Sequence, residues 1–337
     1  MVEFTEKRVV LKDYVDKEPA FGSGHRLCAG CAQGTAAKQV SMAFDKPTVV
    51  CNATGCLEVA STIYPFSAWK VPWIHVAFEN AAAVASGVLA GFNAMRKRGA
   101  FKHDKVDVIA QGGDGGTYDI GLQALSGALE RGEDMLYICY DNGGYMNTGI
   151  QRSGATLKYA TTTTSPSGIM IPGNDRKVSY KKSLLDIAIA HGIEFAASAS
   201  PAHPQDLIKK VRIGLDVEGP AFLVIDVPCT LGWGIDPAKT IHYANIAVDS
   251  GIFPLLSYRQ GRYYFDAKSA RIWRQEKDTG ESARVPILNY IEGQGRFRHL
   301  FSPKRRDDLI EDLQQLVDIR WETLKAKVEA SAALKRE

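Results

Sequence analysis

An acidic side chain and an amide, each following an apolar run and each flanked by glycines, are the residues in this sequence best suited to hold a cation against a phosphate. Asp114 lies in Gly112-Gly113-Asp114-Gly115-Gly116-Thr117-Tyr118-Asp119-Ile120-Gly121. Asn142 lies in Tyr140-Asp141-Asn142-Gly143-Gly144-Tyr145-Met146-Asn147-Thr148-Gly149. Both offer hard oxygen ligands, and magnesium takes only one or two protein carboxylates, filling its octahedron with neutral oxygens, water and substrate phosphates. Gly113, Gly115 and Gly116 allow close backbone approach and positive φ, and the unpaired N–H groups at a helix start suit an anion. Gly-Asp-Gly alone is an ordinary strand-to-helix turn; with the second segment downstream, the pair reads as a seat for a magnesium-bound diphosphate.

The second group is sulfur. Of the six cysteines, Cys28 and Cys31 form a CxxC, Cys56 follows in Ala-Thr-Gly-Cys, and Cys229 sits in Val-Pro-Cys-Thr. The first residues, Met1 to Lys7, have neither a long apolar core nor a small-residue cleavage site, so a cytoplasmic location is expected, with reduced thiols rather than disulfides. CxxC with two remote cysteines leaves a zinc site, an iron–sulfur cluster and coincidence all open. Cys51 and Cys139 lie in apolar strand-like runs, where free cysteine acts as a small buried hydrophobe, and are left outside the site.

The elements that must position these groups follow from periodicity. Val106 to Ala110 and Met135 to Cys139 read as buried strands, and Ile120, Leu122, Leu125, Ala128 and Leu129 recur at helical spacing before Gly132. A right-handed βαβ unit then brings Asp114 and Asn142 to carboxyl ends of parallel strands, where α/β sheets bind ligands. A helix from Cys28 to Phe44 and a strand over Thr48 to Asn52 set Cys28, Cys31 and Cys56 at one edge of the layer. Residues 73–80 read as a strand leading into a helix, and the helix Ala81 to Met95 is rich in small residues. His75 in this strand reads as a satisfied core residue. Residues 153–182 form a long polar stretch, expected to cover the site, to make an interface or to be a solvated linker. A helix over Ser183 to His191, a strand over Ile193 to Ala197, a helix over Pro204 to Val217 and a strand over Ala221 to Val227 follow, and Cys229 comes directly after the last. Beyond residue 250, aromatic residues suggest a small strand-containing extension. Leu309, Leu313, Leu316, Val317, Leu324 and Val328 then trace the apolar stripe of a terminal helix, packed on its own domain or docked on a sister subunit.

These residues reach a known family. Gly113-Asp114-Gly115 with Asp141-Asn142 resembles the thiamine diphosphate motif. Gly-Asp-Gly-Gly-Thr-Tyr-Asp-Ile-Gly with Tyr-Met-Asn-Thr-Gly resembles specifically the β subunits of pyruvate:ferredoxin oxidoreductases, over essentially the whole chain from Gly24-His25-Arg26 to Gly293-Gln294-Gly295-Arg296-Phe297. The resemblance implies an α/β, parallel-sheet thiamine diphosphate-binding fold with helices on both faces and a C-terminal extension. Its parts would be an arm over 1–24, a cofactor and iron–sulfur domain over 25–250, and an extension over 251–337 ending in an amphipathic helix. It implies that Asp114, Asn142 and the Gly144 carbonyl hold magnesium and that Gly113, Asp114, Gly115, Gly116, Asn142, Asn147, Thr148 and Cys56 contact thiamine diphosphate. Asn147 would lie beside the reacting carbons as the catalytic residue. Cys28, Cys31, Cys56 and Cys229 would bind one [4Fe–4S] cluster. The implied reaction is reversible oxidative decarboxylation of a 2-oxoacid, pyruvate first, with coenzyme A as co-substrate and ferredoxin as electron acceptor. An α subunit, supplying the glutamate that faces the cofactor's aminopyrimidine, and further γ, δ or ferredoxin-like subunits complete the complex.

The resemblance departs at Gly143-Gly144, where many relatives carry a bulkier pair that includes an acidic residue; the same chemistry on an aromatic or branched 2-oxoacid such as phenylglyoxylate is the alternative. A zinc-stabilised, non-catalytic scaffold is the rival of another class. At 337 residues, 45% hydrophobic and a net charge of +3, the chain builds a substantial core and nothing in it demands nucleic acid. No stretch is long and apolar enough for a membrane span. Arg296-Phe297-Arg298-His299 and Lys304-Arg305-Arg306 read as solvated basic faces, with an acidic partner or coenzyme A as the alternative.

Overall fold

Runs of valine, isoleucine and alanine with no polar alternation demand cover on both faces, and the sheet provides it. The computed structural model describes residues 9–101, 103, 105–168, 172–175 and 181–333. In chain order the first half comprises α1 (Ala32–Met42), β1 (Thr48–Ala53), α2 (Cys56–Ser61), β2 (Trp73–Val76), α3 (Ala81–Lys97), β3 (Asp107–Gly113), α4 (Leu122–Glu130) and β4 (Leu136–Asp141). The second comprises α5 (Leu184–Ile189), β5 (Phe195–Ala199), α6 (Pro204–Asp216), β6 (Ala221–Asp226), α7 (Thr230–Trp233), α8 (Thr240–Asp249), β7 (Leu256–Arg259), β8 (Arg262–Phe265), α9 (Ala267–Thr279), α10 (Ile287–Ile291) and α11 (Asp307–Ala332).

The eight strands form one sheet in the order β2-β1-β3-β4-β6-β5-β7-β8. The six from β2 to β5 run parallel, and β7 and β8 are added antiparallel at one edge. Alternate side chains sort into two cores. Ile109, Ile138 and Leu223 pack on the face covered by α1 and α6. Val108, Ala110, Tyr137 and Phe222 pack on the face covered by α3, α4, α5 and the C-terminal helices. This is the α/β architecture expected, with helices on both faces of a mostly parallel sheet.

The described part of the N-terminal segment lies on its own fold: Phe21 is buried against Trp69, and the Tyr14 hydroxyl accepts a hydrogen bond from Arg212 at 2.7 Å. On α11, Trp321 is fully buried against Phe265 and donates to Glu276 at 2.7 Å, which fixes the terminal helix on the β8 edge. Among the described residues no helix is long and apolar enough to cross a membrane.

Candidate functional site

Four neighbouring strands, β1, β3, β4 and β6, end along one rim, and each delivers one chemical group there. Cys56 follows β1, Asp114 follows β3, Asn142 follows β4 and Cys229 follows β6. Helix α1 runs back against the strands, so its N-cap, Cys31, and the Cys28 turn before it reach the same rim.

Asp114 is buried, with Oδ1 accepting from the Asn142 backbone N–H at 3.2 Å and Oδ2 accepting from the Ser153 hydroxyl. Burial, then the nearby Asp141 charge, push its carboxyl above the usual range, and the bonds from Ser153 and Asn142 pull it back. One terminal amide atom of Asn142 lies 2.9 Å from Asp114 Oδ1 and 2.9 Å from the Gly144 carbonyl oxygen. With nitrogen in that position the amide donates to both acceptors. With oxygen there, the amide faces two acceptors, an arrangement that a cation between them would relieve. Adjacent ligands of an octahedron with metal–oxygen bonds of 2.0–2.1 Å lie about 2.9 Å apart, the separation of the Asn142 atom from each of its two neighbours.

The turn after Asp114 is a π-helical turn, Gly115–Ile120, in which Gly121 N–H donates to the Gly116 carbonyl at 2.8 Å. Such turns concentrate at functional sites. Contrary to the expected positive φ, none of Gly113, Gly115 and Gly116 is left-handed; Gly143 is, at φ 75°. The missing side chains matter for space instead. A Cβ on Gly115 would meet the Tyr145 ring at 2.6 Å, whereas one on Gly113 would meet nothing within 4 Å, because it faces the open cleft.

Behind Asp114 stands a buried acid–base layer that sequence reasoning missed. Asp141 pairs with Lys181 at 2.6 Å and accepts from the Tyr118 hydroxyl at 2.8 Å. Asp226, at the end of β6, is pushed up to about 7 by burial and then by Asp141, with Lys181 and Arg296 opposing. Thr117 and Asp119 serve the backbone: Thr117 donates to the Gly113 carbonyl at 2.7 Å, and Asp119 accepts from Gly154 N–H at 2.8 Å. Thr117, Tyr118, Asp119 and Asp141 lie inside the two glycine-rich motifs, which flag them without revealing their partners; Lys181 and Asp226 carry no such signal.

Cys28, Cys31, Cys56 and Cys229 line one cavity of about 330 Å³. Burial raises Cys31, Cys56 and Cys229, and neighbouring thiols raise one another, Cys56 to about 12; a hydrogen bond from Asn147 opposes this at Cys56. Among the described residues no three Cys, His, Asp or Glu side chains are gathered closely enough to hold a single metal ion. Cys51 and Cys139 are fully buried in β1 and β4, away from this cavity, as expected.

The cleft beside the cavity is lined by Gly113, Asp114, Gly115, Asn142, Gly144, Asn147 and Thr148. Gln33, Cys56, Asn142 and Asn147 line both. Gly116 lies just off the cleft, packed against the Phe78 carbonyl. The room in the cleft for water-sized spheres is only about 30 Å³, on the order of one or two waters, so on this chain alone it is narrow.

Three sequence readings change. His75 is half-exposed on the edge strand β2, bonded to Thr54 Oγ1 at 2.6 Å, because an edge strand has solvent where a central one has a neighbour. Arg296, expected on a solvated face, is buried, whereas Lys304 and Arg305 remain exposed. Residues 153–160, the start of the expected polar loop, are buried under the Asn142–Gly144 turn, with Thr156 donating to the Gly143 carbonyl at 2.8 Å. Part of that stretch, 169–171 and 176–180, lies outside the described residues.

Comparison with known proteins gives a consistent result. Residues 53–225 match the family described as thiamine pyrophosphate enzyme, C-terminal TPP binding domain. The pyruvate synthase subunit PorB of Methanocaldococcus jannaschii is 48% identical over 309 residues, 91% of this chain and 97% of that protein. PorB of Thermotoga maritima is 44% identical over 317 residues, 93% of each. The ketoisovalerate oxidoreductase subunit VorB of Pyrococcus furiosus is 38% identical over 312 residues, 93% of this chain and 94% of that one. Among solved structures, a 2-oxoglutarate:ferredoxin oxidoreductase from Magnetococcus marinus shares the fold, with a TM-score of 0.50 and 18% identity, covering 85% of this chain and 96% of that chain.

Proposed function

This chain belongs to the PorB family of pyruvate synthase subunits, which are thiamine diphosphate enzymes, and from that premise we propose that it is the catalytic β subunit of a pyruvate:ferredoxin oxidoreductase working in the cytoplasm. The observation that carries the reading is the shared rim: Asp114 and the Gly144 carbonyl, each 2.9 Å from the Asn142 amide, beside a cavity lined by four thiols, with Asn142 and Asn147 in the wall of both.

Asp114, the Asn142 side chain and the Gly144 carbonyl would hold Mg²⁺, and the open side of Gly113 leaves room for the diphosphate. Cys28, Cys31, Cys56 and Cys229 would hold a [4Fe–4S] cluster. The four thiols line one cavity of about 330 Å³, room for a group larger than a single ion, whereas tetrahedral zinc with zinc–sulfur bonds of about 2.3 Å would draw the four sulfurs together. Thiamine diphosphate, when bound, supplies the nucleophilic carbon and the electron sink for decarboxylation, and the cluster supplies the one-electron exit. The chain's own residues orient and exclude. Asn147 and Thr148 would border the reacting end, the buried acids and Lys181 fix the Asn142 turn, and Asn147 favours the Cys56 thiolate against burial. Coenzyme A takes the acyl group and ferredoxin the electrons. The cleft on this chain is too small for the whole cofactor, so an α subunit would complete it, with γ and δ or ferredoxin-like subunits completing the complex.

In the assembled complex, Asp114→Ala should abolish retention of thiamine diphosphate while the cluster's visible absorption persists; retained cofactor would refute the anchoring role. Pyruvate should reduce a ferredoxin faster than branched or aromatic 2-oxoacids. The reverse order would reassign the substrate, and zinc without iron and sulfide would favour the scaffold.

A further inference from the structure

Arg296 is a buried cation that the magnesium seat does not use. It comes from the 3₁₀ turn Gly295–Leu300 and is 5% exposed, with its guanidinium carbon 3.8 Å from the centre of the Trp233 ring. Its Nε donates to Gln294 at 2.8 Å and an Nη to the Tyr290 hydroxyl at 3.1 Å, both neutral partners. Among the described residues no carboxylate forms an ion pair with it. Taking a charge out of water without a counter-ion is costly, and a fold that keeps one needs opposite charge nearby.

The surroundings locate that charge. Trp233, on which the guanidinium stacks, is four residues beyond Cys229 and donates to the Asn142 carbonyl at 2.7 Å. A Cβ on Gly143 would come within 3.1 Å of an Arg296 Nη, so this glycine leaves room for the guanidinium. The arginine therefore sits between the Asn142–Gly144 turn and the Cys229 turn. Cys229 is the N-cap of α7, and Trp233 closes the same short helix, so the guanidinium is stacked on the element that carries this thiol. Arg26 also lines the cysteine cavity, but it is exposed and water screens it. Asp226 is the other acid near Arg296, and it is held toward its neutral form.

We propose that Arg296 is the permanent counter-charge of the four-thiolate cage, a positioning residue that makes the cluster held there easier to reduce. This rests on the cluster reading above. A cluster in four thiolates is net negative and becomes more so on accepting an electron, and net charge and burial are among the factors that set its potential. A fixed buried cation on the Cys229 side therefore favours the reduced form. The side chain comes from the C-terminal extension, so that extension reaches the redox centre of the domain before it.

The test is a redox titration of the assembled complex followed by electron paramagnetic resonance, with the signal assigned as the one lost in Cys229→Ala. Arg296→Gln should shift the one-electron equilibrium about tenfold toward the oxidised cluster, about 59 mV, while Arg296→Lys, which keeps the charge, stays near the unmodified protein. Equal shifts in both variants, or none in either, would overturn the proposal. Absence of iron and sulfide from the unmodified complex would instead overturn the cluster reading itself. Should Arg296→Gln not accumulate, Arg296→Met separates the roles. Loss of a counter-ion lowers the melting temperature of the cluster-loaded complex and leaves or raises that of the chelator-treated one; lowering both alike would mean a structural anchor and sink the proposal.

Discussion

At the scale of single residues, the seat at Asp114 is a proton site before it is a metal site. Its carboxyl is held above the ordinary range by burial and by Asp141, so the folded chain binds a proton that the unfolded chain releases. Stability of the cofactor-free protein should therefore fall as pH rises from the usual carboxylate range, about 4, through the raised value. Magnesium with the diphosphate should reverse that loss, because it replaces the proton. Melting curves between about pH 5 and about pH 8, with and without cation and cofactor, check this; a pH-independent difference would count against it. Gly30 gives a second prediction. It adopts φ 69°, and a Cβ there would lie 2.2 Å from the Pro237 carbonyl oxygen. Gly30→Ala should displace the Cys28–Cys31 turn and lower the iron content of the purified complex several-fold, with the β-sheet circular dichroism retained. Asp114, Asn142 and the cysteines were legible because each stands beside glycines or in a spaced motif at the end of an apolar run. Ser153, Lys181 and Arg296 were not, because each reaches the site from a segment whose local composition says only polar or basic.

At the scale of elements, the antiparallel edge is held by the terminal helix. Trp321 is fully buried on α11, packed on Phe265 of β8 and bonded to Glu276. Trp321→Ala should cost about 3–5 kcal/mol, read as a lower denaturant midpoint, chiefly through the cavity, since Glu276 keeps Arg284 and Lys325. The stripe on α11 and the parallel strands were readable from periodicity, since both are set by burial. The π-helical turn over Gly115–Ile120 was not, because glycine, threonine and isoleucine carry no periodicity that separates one extra residue per turn from an ordinary helix start. Nor does sequence show that β7 and β8 prolong the main sheet: four-residue strands alternate too briefly to reveal their partners.

At the scale of the whole molecule, the cleft is a half-site. Ligand pockets usually bury most of what they bind, and this one leaves room for only one or two waters on the chain itself, about 30 Å³. The isolated subunit should therefore bind thiamine diphosphate at least about tenfold more weakly than the assembled complex, measured by equilibrium dialysis in the presence of Mg²⁺. Equal affinity would mean that this chain closes its own pocket. The sequence made the likeness to a multi-subunit enzyme visible but not the narrowness of the cleft, which depends on how distant segments pack around it. The partition formed by Gln33, Cys56, Asn142 and Asn147 is one side chain thick. Any replacement there that enlarges room for fuel also alters hydration of the nearest sulfur, so selectivity and reducing strength are expected to drift together among variants rather than evolve as separate traits.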